Sequence, residues 1–249
     1  MKNVILCLCL MALIMGCSNS PTSMKFLGLN GEVSSIKDTK FNVKEKFGEI
    51  FPNEIEEVSV YNFNSDGNVL NQTVYSPGGD IKYSFEHLYK NKNCYQTIFK
   101  RISFNLKTMD FDTITSISKL LKSNGNLFIW ENTTNDSDPQ LSKVEKSRSY
   151  IKTTTEVGKD SKQINEAWYN NSNLVEQKIT TGSEIVFWTK SQYDEQNRLI
   201  ELKNLVGNDK ETASYSYNKM DNKENWIERI EYINGKPENI IIREIKYAQ

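Results

Sequence analysis

The fold is decided by the stretch QYDEQNRLIE at residues 192–201, because it is one copy of a repeated pattern. A second copy runs from Trp168 to Glu176, and a third lies between Ser216 and Glu228. The tyrosines of the three copies stand 24 residues apart each time, at positions 169, 193 and 217. Each copy has an aromatic residue, an Asn or Asp, a few polar residues, a Gly or Asn, and then an apolar pair.

This pattern predicts a strand, a tight turn and a returning strand. Two earlier copies, NFNSDGNVL at 62–70 and KSNGNLFIW at 122–130, carry Asp-Gly and Asn-Gly pairs, which supply the positive φ that hairpin turns need. The returning strands alternate with period two. In residues 199–206, Ile200, Leu202 and Val206 share one face and Glu201 and Lys203 the other. In residues 226–232, Trp226, Ile230 and Tyr232 are expected on one face, with Arg229 and Glu231 opposite.

The sequence therefore predicts one all-β domain, an antiparallel meander of repeated β-hairpins in units of about 24 residues. A sheet with one apolar face has to cover it, so we expect strong curling into a half-barrel or a closed barrel. A barrel that spans a membrane is the alternative. Residues 109–122 fit a strand or a helix, and their Thr and Ile content favours the strand. Residues 132–139 are polar and predicted to form a loop.

The stretch YDEQNRLI at 193–200 resembles the YD repeat of Rhs-type proteins, whose consensus is tyrosine, aspartate, two residues, glycine, Asn or Arg, and leucine. This chain has Asn197 in place of the glycine and Asn218 in place of the next aspartate. Residues 27–75 and 165–247 are similar to small YD-repeat-like bacterial envelope lipoproteins, most of them uncharacterised, and residues 90–160 are less so. The resemblance implies a meander of hairpins and a cell-envelope location, and it carries no catalytic residues.

The first residues predict a lipid anchor. An apolar run at 4–15 is too short to span a bilayer as a helix, and it ends in Ile-Met-Gly-Cys, the lipobox of a bacterial lipoprotein. Gly16 flanks the cleavage and Cys17 carries the lipid. We expect a signal peptide at 1–16, a lipidated N-terminus and tether at 17–24, and the β domain at 25–249. Because Ser18 is not an aspartate, the outer membrane is favoured, on either side. A plain signal peptide or an anchor helix is the alternative.

Composition limits the partners and the chemistry. A net charge of −1 leaves no basic excess for nucleic acid. After cleavage and lipidation only Cys94 remains, so no internal disulfide forms. The single histidine, His87, sits in a strand-like pattern between Phe85 and Tyr89, which indicates a structural role rather than a catalytic one. We find no phosphate loop and no metal-ligand or catalytic motif, and expect no cofactor and no metal.

Two groups of acidic residues resemble functional sites, but a structural role explains each of them more simply. Three acids recur at matching repeat positions: Glu176, Glu201 and Glu228. They could form a functional row down one face of the sheet. The favoured interpretation is a solvated face on which they pair with basic residues, namely Lys178, Lys203 and Arg229. Residues 62–67 mimic half of a calcium loop, but Thr73 stands where the loop needs Glu, so a hairpin turn is favoured.

Tryptophans are the candidate ligand-stacking residues: Trp130, Trp168, Trp188 and Trp226. They follow the repeat, which favours core or cross-strand positions over a sugar platform. Trp188 is the best candidate for exposure, because Phe187 on the opposite face can take the core position. The sequence thus predicts a non-enzymatic envelope lipoprotein that binds a glycan, peptide or protein. A carboxylate-based hydrolase and a purely structural or assembly protein are the alternatives.

Overall fold

The computed structural model describes residues 23–90, 93–105, 110–135, 137–157, 161–171 and 173–248. Gly16 and Cys17 therefore lie outside the described residues. Within them the chain forms one short helix, α1 (Ser23–Phe26), and sixteen strands. The strands are β1 (Val33–Lys46), β2 (Glu49–Phe63), β3 (Val69–Tyr75), β4 (Ile81–Lys90), β5 (Asn93–Asn105), β6 (Asp110–Asn124), β7 (Leu127–Thr134), β8 (Gln140–Lys146), β9 (Tyr150–Val157), β10 (Ser161–Asn170), β11 (Asn173–Thr181), β12 (Glu184–Tyr193), β13 (Leu199–Val206), β14 (Asp209–Met220), β15 (Trp226–Ile233) and β16 (Lys236–Tyr247).

Each strand pairs antiparallel with the next, and β16 pairs with β1, so the sheet is a closed barrel. This confirms the predicted meander of hairpins, and of the two expected shapes the closed one is found. Closure leaves no edge strand open for pairing with another chain. The helix α1 is far too short and too polar to cross a bilayer, and no other helix occurs in the described part of the chain.

Successive turns alternate between the two ends of the barrel. We call one end the near rim. It carries residues 23–32, the turns after even-numbered strands and the C-terminus. The turns after odd-numbered strands form the far rim. All copies of the repeat turn at 64–68, 194–198 and 221–225 are therefore gathered at the near rim, although they are far apart in sequence.

One face of the sheet is mostly buried and the other is mostly exposed, although Ile230 and Ile240 are buried on the second face as well. Cross-strand partners such as Gln177 and Thr189, or Phe128 and Val144, are all less than 10% exposed. Their neighbours along the strands are half-buried or exposed, and Lys143 and Lys190 are among the exposed ones. Side chains converge on the concave side of a closed sheet and splay apart on the convex side, so the buried face is the inner face. The outer face carries most of the charged residues, whereas Asp38, Arg229 and Arg243 lie on the inner face.

The inner face mixes apolar and polar side chains. One apolar cluster, Leu29, Val33, Ile36 and Phe63, lies where the chain enters the barrel. A second, Cys94, Phe128, Trp130 and Val144, spans β5 to β8. Between such clusters the buried polar groups bond to one another across strands, as Gln177 Nε2 does in donating to Asn165 Oδ1 at 3.0 Å. Most buried amides and hydroxyls are tolerated inside because they have such partners, whereas Thr189 Oγ1 and Asn239 Oδ1 have none among the described residues.

Two local expectations are settled by cross-strand bonding. Residues 110–122 do form a strand, most of β6, as predicted, while Met109 lies outside the described residues. The expected loop at 132–139 is wrong in its first three residues, because Asn132 to Thr134 belong to β7. The Asn132 amide accepts from Ser118 Oγ and donates to Ser142 Oγ, both at 2.7 Å. A polar side chain that looked like a loop signal is thus a link between three strands.

The predicted face of Trp226 is also wrong. Register shifts near Tyr217, Lys219 and Met220 turn the indole inward, where it meets Arg229 instead of lying opposite to it. The Arg229 guanidinium carbon is 4.6 Å from the ring centroid. Simple alternation cannot anticipate this, because a β-bulge moves every later side chain to the other face.

Candidate binding site at the near rim

Three turns of the near rim share one construction, which explains the repeat. In the turn 194–198, Asp194 Oδ1 accepts from the backbone N–H groups of Gln196 and Arg198, both at 2.9 Å. Asn64 and Asp221 accept equivalent pairs of bonds in their own turns. The fourth residue of each turn has a positive φ, in the order Gly67 (79°), Asn197 (61°) and Glu224 (64°). The Asn or Asp of the repeat is therefore the acceptor of the turn, and the Gly or Asn its left-handed position.

In the third copy the turn starts three residues later than the alignment of tyrosines suggests. Asn218, predicted to replace the aspartate of the repeat, lies within β14. The turn starts at Asp221 instead, because β14 continues for three residues past Tyr217 with a bulge.

Repeat tyrosines tie each hairpin to the one before it. Tyr193 Oη donates to the backbone oxygen of Leu174 at 3.0 Å, and Tyr217 Oη donates to that of Leu199 at 2.8 Å. Tyr89 makes the same bond to Val69 at 2.8 Å. Burial raises the pKa of Tyr193 and Tyr217, and raises that of Tyr169 to about 12. These phenols therefore stay protonated at physiological pH and can donate the hydrogen bonds that join neighbouring hairpins.

The N-terminal segment lies across the near rim and joins the first and last turns. Met24 N donates to the oxygen of Gly67 at 3.0 Å. At the other side Asn30 and Asn225 exchange two bonds, at 2.7 and 3.0 Å. Ser23 Oγ accepts from Val69 N, so Ser23 and Met24, expected in the tether, already contact the barrel.

A pocket of about 740 Å³ opens between this segment and the turns of β10–β15. Its described lining is rich in amides, with two cations and one carboxylate, and consists of Lys25, Gly28, Leu29, Asn30, Asn171, Asn173, Gln196, Asn197, Arg198, Met220, Glu224 and Trp226. Arg198 is held in place by Asp194 at 2.6 Å and by Gln196 at 3.2 Å. Asn173 Nδ2 donates to Asn197 Oδ1 at 3.2 Å. The pocket thus presents ordered donors and acceptors to a polar ligand.

Sequence reasoning missed these amides, because each one was taken as a turn residue. A signal was present: the repeat places its polar turn at the same end of every hairpin, so a closed meander must bring the turns of successive copies side by side. The third and fourth positions of the turn therefore line the pocket, as Gln196, Asn197 and Glu224 do.

The indole of Trp226 forms one wall of the pocket, but its ring faces are occupied. The Arg243 guanidinium carbon lies 3.6 Å from the centroid, and Arg229 lies at 4.6 Å. Trp226 is only 6% exposed. Arg243 is itself fixed by two bonds to Asp38, both at 2.7 Å. Guanidinium stacking of this kind rigidifies the wall and leaves the Trp226 faces unavailable to a sugar ring.

The four candidate tryptophans do not meet on one platform. Trp130 and Trp226 are buried on the inner side. Trp168 and Trp188 lie half-buried on the outer face, where Trp168 packs against Tyr150 with centroids 5.4 Å apart. Trp188 Nε1 donates to Glu176 Oε1 at 2.9 Å, and Phe187 on the opposite side is buried as predicted. Any stacking role for Trp188 would be on the outer wall, away from the pocket.

The repeated acids lie on the outer face beside lysines. Glu201 pairs with Lys203 at 2.8 Å and Glu228 with Lys219 at 2.5 Å, while Glu176 faces Lys190 across strands. Of the three predicted pairs, Glu201 with Lys203 is found. Glu176 faces Lys190 rather than Lys178, and Glu228 pairs with Lys219 because Arg229 lies inside the barrel. Pairs of this kind at an exposed surface stabilise little.

The remaining candidates have structural roles. His87 is buried in β4, stacks on Phe85 at 6.3 Å and meets Thr97 Oγ1 with its Nδ1 at 3.1 Å. Burial lowers the pKa of His87 to about 4, so it is neutral at physiological pH. Residues 64–68 form a hairpin turn, as favoured, and no group of three or more potential metal ligands occurs among the described residues. Cys94 is a buried thiol outside any disulfide, and its Sγ donates to the backbone oxygen of Gln96 at 3.4 Å.

Comparison with known proteins gives no information on the function of the chain. No protein-family model matches the chain, and no curated protein matches it. Among solved structures, the chain is similar to a porin-like protein from Bacteroides uniformis ATCC 8492, determined at 2.32 Å resolution. The two are 12% identical, the match covers 92% of this chain and 99% of that one, and the TM-score is 0.31. The resemblance to YD-repeat lipoproteins therefore stays a prediction, and function has to be inferred from the near-rim pocket itself.

Proposed function

We propose that this protein is a lipid-anchored cell-envelope protein of the outer membrane, held by Cys17, that binds a glycan in the near-rim pocket without transforming it. The amide-rich lining of the pocket carries this proposal. Sugar hydroxyls both donate and accept hydrogen bonds, and an amide side chain offers one group of each kind. A volume of about 740 Å³ is in the range of small-ligand sites.

A binding role is favoured over hydrolysis by the charge of the lining. Glycoside hydrolysis ordinarily uses two carboxyl groups about 5–10 Å apart across the scissile bond. Among the described residues of the pocket, Glu224 is the one carboxylate. Arg198 and Lys25 add positive charge, which suits a glycan that bears an acidic group.

The outer face supports anchoring by lipid rather than by the barrel wall. At mid-height Lys152, Glu166 and Lys178 face one another across β9, β10 and β11. Lys190 and Lys203 lie side by side on β12 and β13. A basic residue on the lipid face of a barrel costs about 2–4 kcal/mol at the bilayer midplane, and several of them would prohibit insertion. Two acyl chains on Cys17 would hold the protein without that cost.

The binding proposal is tested by calorimetric titration of the protein with neutral and acidic oligosaccharides and with peptides. We expect an acidic oligosaccharide to bind, and the variant Asn173→Ala with Gln196→Ala to weaken binding at least tenfold, about 1.4 kcal/mol. The matched control is Asn53→Ala with Asn208→Ala, two exposed amides of the far rim, which should bind as the native protein does. Failure of every glycan to bind, or equal binding by the pocket variant, would contradict the proposal.

The anchor is tested separately. Mass spectrometry of the mature N-terminal peptide should show diacylglycerol on Cys17, and Cys17→Ser should move the protein from the membrane to the soluble fraction. Membrane retention of the Cys17→Ser variant would instead favour the plain anchor helix.

A further inference from the structure

We propose that the near rim of the barrel lies against the headgroups of the membrane that holds the anchor, so that the barrel stands on end with its far rim pointing away. This rests on the proposed lipidation of Cys17. The occupant of the near-rim surface is thus an anionic lipid headgroup layer.

The length of the tether carries the first step. The described chain begins with Ser23, which is bonded to the near rim through Val69. Only residues 18–22 separate it from Cys17. Even fully extended, a chain of that length reaches roughly 20 Å, at about 3.3–3.6 Å per residue. The barrel is about 25 Å tall, from strands of about ten residues rising 3.3 Å each and tilted by about 40°. The far rim therefore cannot reach the membrane unless the barrel turns over on its tether.

Charge at the two rims favours the same orientation. Exposed cations surround the near rim: Lys25, Lys90, Lys122, Arg148, Lys223 and Lys246. Asp194 and Asp221 turn inward to their own turns. The exposed acids of this rim are then one fewer than the cations: Glu32, Asp66, Glu145, Glu195 and Glu224. Lys223 and Lys246 flank the C-terminal end of β16, beside the segment that leads to the tether.

At the far rim exposed acids outnumber the lysines. The β1–β2 hairpin contributes Glu45, Glu49 and Glu54, and other turns add Asp138, Glu184 and Glu238. An anionic surface attracts each nearby basic residue by about 1 kcal/mol and repels acids, over roughly one Debye length of about 8 Å. The near rim is thus attracted to headgroups and the far rim is repelled. The pocket, which lies in the near rim, faces the bilayer across the short gap left by the tether.

Energy transfer measures this orientation. The full lipoprotein is reconstituted in vesicles of phosphatidylethanolamine and phosphatidylglycerol that carry an acceptor dye on the headgroups. A donor dye is attached at Asn124→Cys on the near rim or at Ser183→Cys on the far rim, both exposed positions. Cys94 is 1% exposed, and the chain without an added cysteine measures any background labelling. We expect markedly higher transfer from position 124 than from position 183.

Charge reversal provides the second readout. Lys122→Glu with Arg148→Glu should lower transfer from position 124 towards the value at position 183, whereas Lys162→Glu with Lys236→Glu at the far rim should not. Equal transfer from both labels, or higher transfer from position 183, overturns the orientation in a chain whose Cys17 is shown by its mass to be lipidated. An unmodified Cys17 instead overturns the proposed anchor, so the two failures are distinguishable.

Discussion

At the scale of single residues, His87 is held neutral by its surroundings. Its ring is buried between Phe85 and Thr97, and burial lowers its pKa to about 4, from 6.5 in an unfolded chain. Between these two values the unfolded state binds more protons than the native state does. The stabilisation from the neutral imidazole is therefore complete above pH 6.5 and is lost as pH falls towards 4, by about 3 kcal/mol in total.

Since His87 is the single histidine, the effect can be isolated. The free energy of unfolding, from urea titrations between pH 7 and 5, should fall in the native protein and change much less in His87→Gln. The interval above pH 5 largely avoids the titration of carboxylates. An equally steep decline in both proteins would show that another group is responsible.

Asp194 is predicted to be the residue on which its turn depends. It accepts two backbone bonds and pairs with Arg198, so Asp194→Ala should destabilise the protein by about 1–3 kcal/mol. Asp194→Asn should restore most of this, because Asn64 fills the same role in the turn 64–68. Glu195→Ala, which removes a neighbouring exposed carboxylate from the same turn, should stay within about 0.5 kcal/mol in the same denaturation assay.

Such residue roles were only partly predictable from the sequence. The structural role of His87 followed from its apolar neighbours in a strand pattern, and that of Phe187 from alternation. The environment of Trp226 did not follow, because it depends on register shifts in the pairing of β14 with β15 and on Arg243, a partner on another strand. The pocket amides were seen but not grouped, since their proximity results from closure of the barrel.

At the scale of elements, the turns set the register of the hairpins, and two of them hold a strained residue, Phe47 with a φ of 55° and Glu224. Glu224 adopts a φ of 64°, which costs a residue with a Cβ about 1–2 kcal/mol. Glu224→Gly should therefore stabilise the protein by about 0.5–1 kcal/mol after the entropy cost of glycine. Asn197→Gly should gain less, because asparagine tolerates the left-handed region better.

Asn222→Gly is the control for this strain, since Asn222 belongs to the same turn without a positive φ. It should lower the midpoint of thermal unfolding, while Glu224→Gly raises it. A decrease in both would mean that the Glu224 side chain contributes more than its backbone strain costs.

Strands and turns were the most predictable part of the fold. Period two, Asp-Gly and Asn-Gly pairs and the 24-residue spacing identify the hairpins, because each depends on neighbouring residues only. Element ends were less predictable. Asn132 was expected in a loop and lies in β7, because its partners, Ser118 and Ser142, belong to other hairpins. Hydrogen bonds between different hairpins cannot be predicted from the neighbouring residues in the sequence.

At the scale of the whole molecule, closure joins strands from opposite ends of the sequence. The seam between β1 and β16 places Asp38 opposite Arg243 on the inner face and Lys37 opposite Glu244 on the outer face. The first pair is largely buried and doubly bonded, whereas the second is a single contact of 2.7 Å between side chains that are 46% and 63% exposed. The seam therefore contains a buried pair and a solvated pair at adjacent positions.

These adjacent pairs predict which side of the seam holds the barrel closed. Arg243→Met leaves Asp38 without its partner in a mostly buried site and should cost about 3–5 kcal/mol of unfolding free energy. Lys37→Met should cost about 1 kcal/mol or less, because an exposed ion pair gains little over its hydration. Adding Asp38→Leu to Arg243→Met should recover part of the loss, since no unpaired charge then remains inside. Similar losses from Arg243→Met and Lys37→Met would mean that backbone pairing alone closes the barrel. A double variant no more stable than Arg243→Met would assign the loss to the contact of Arg243 with Trp226 instead.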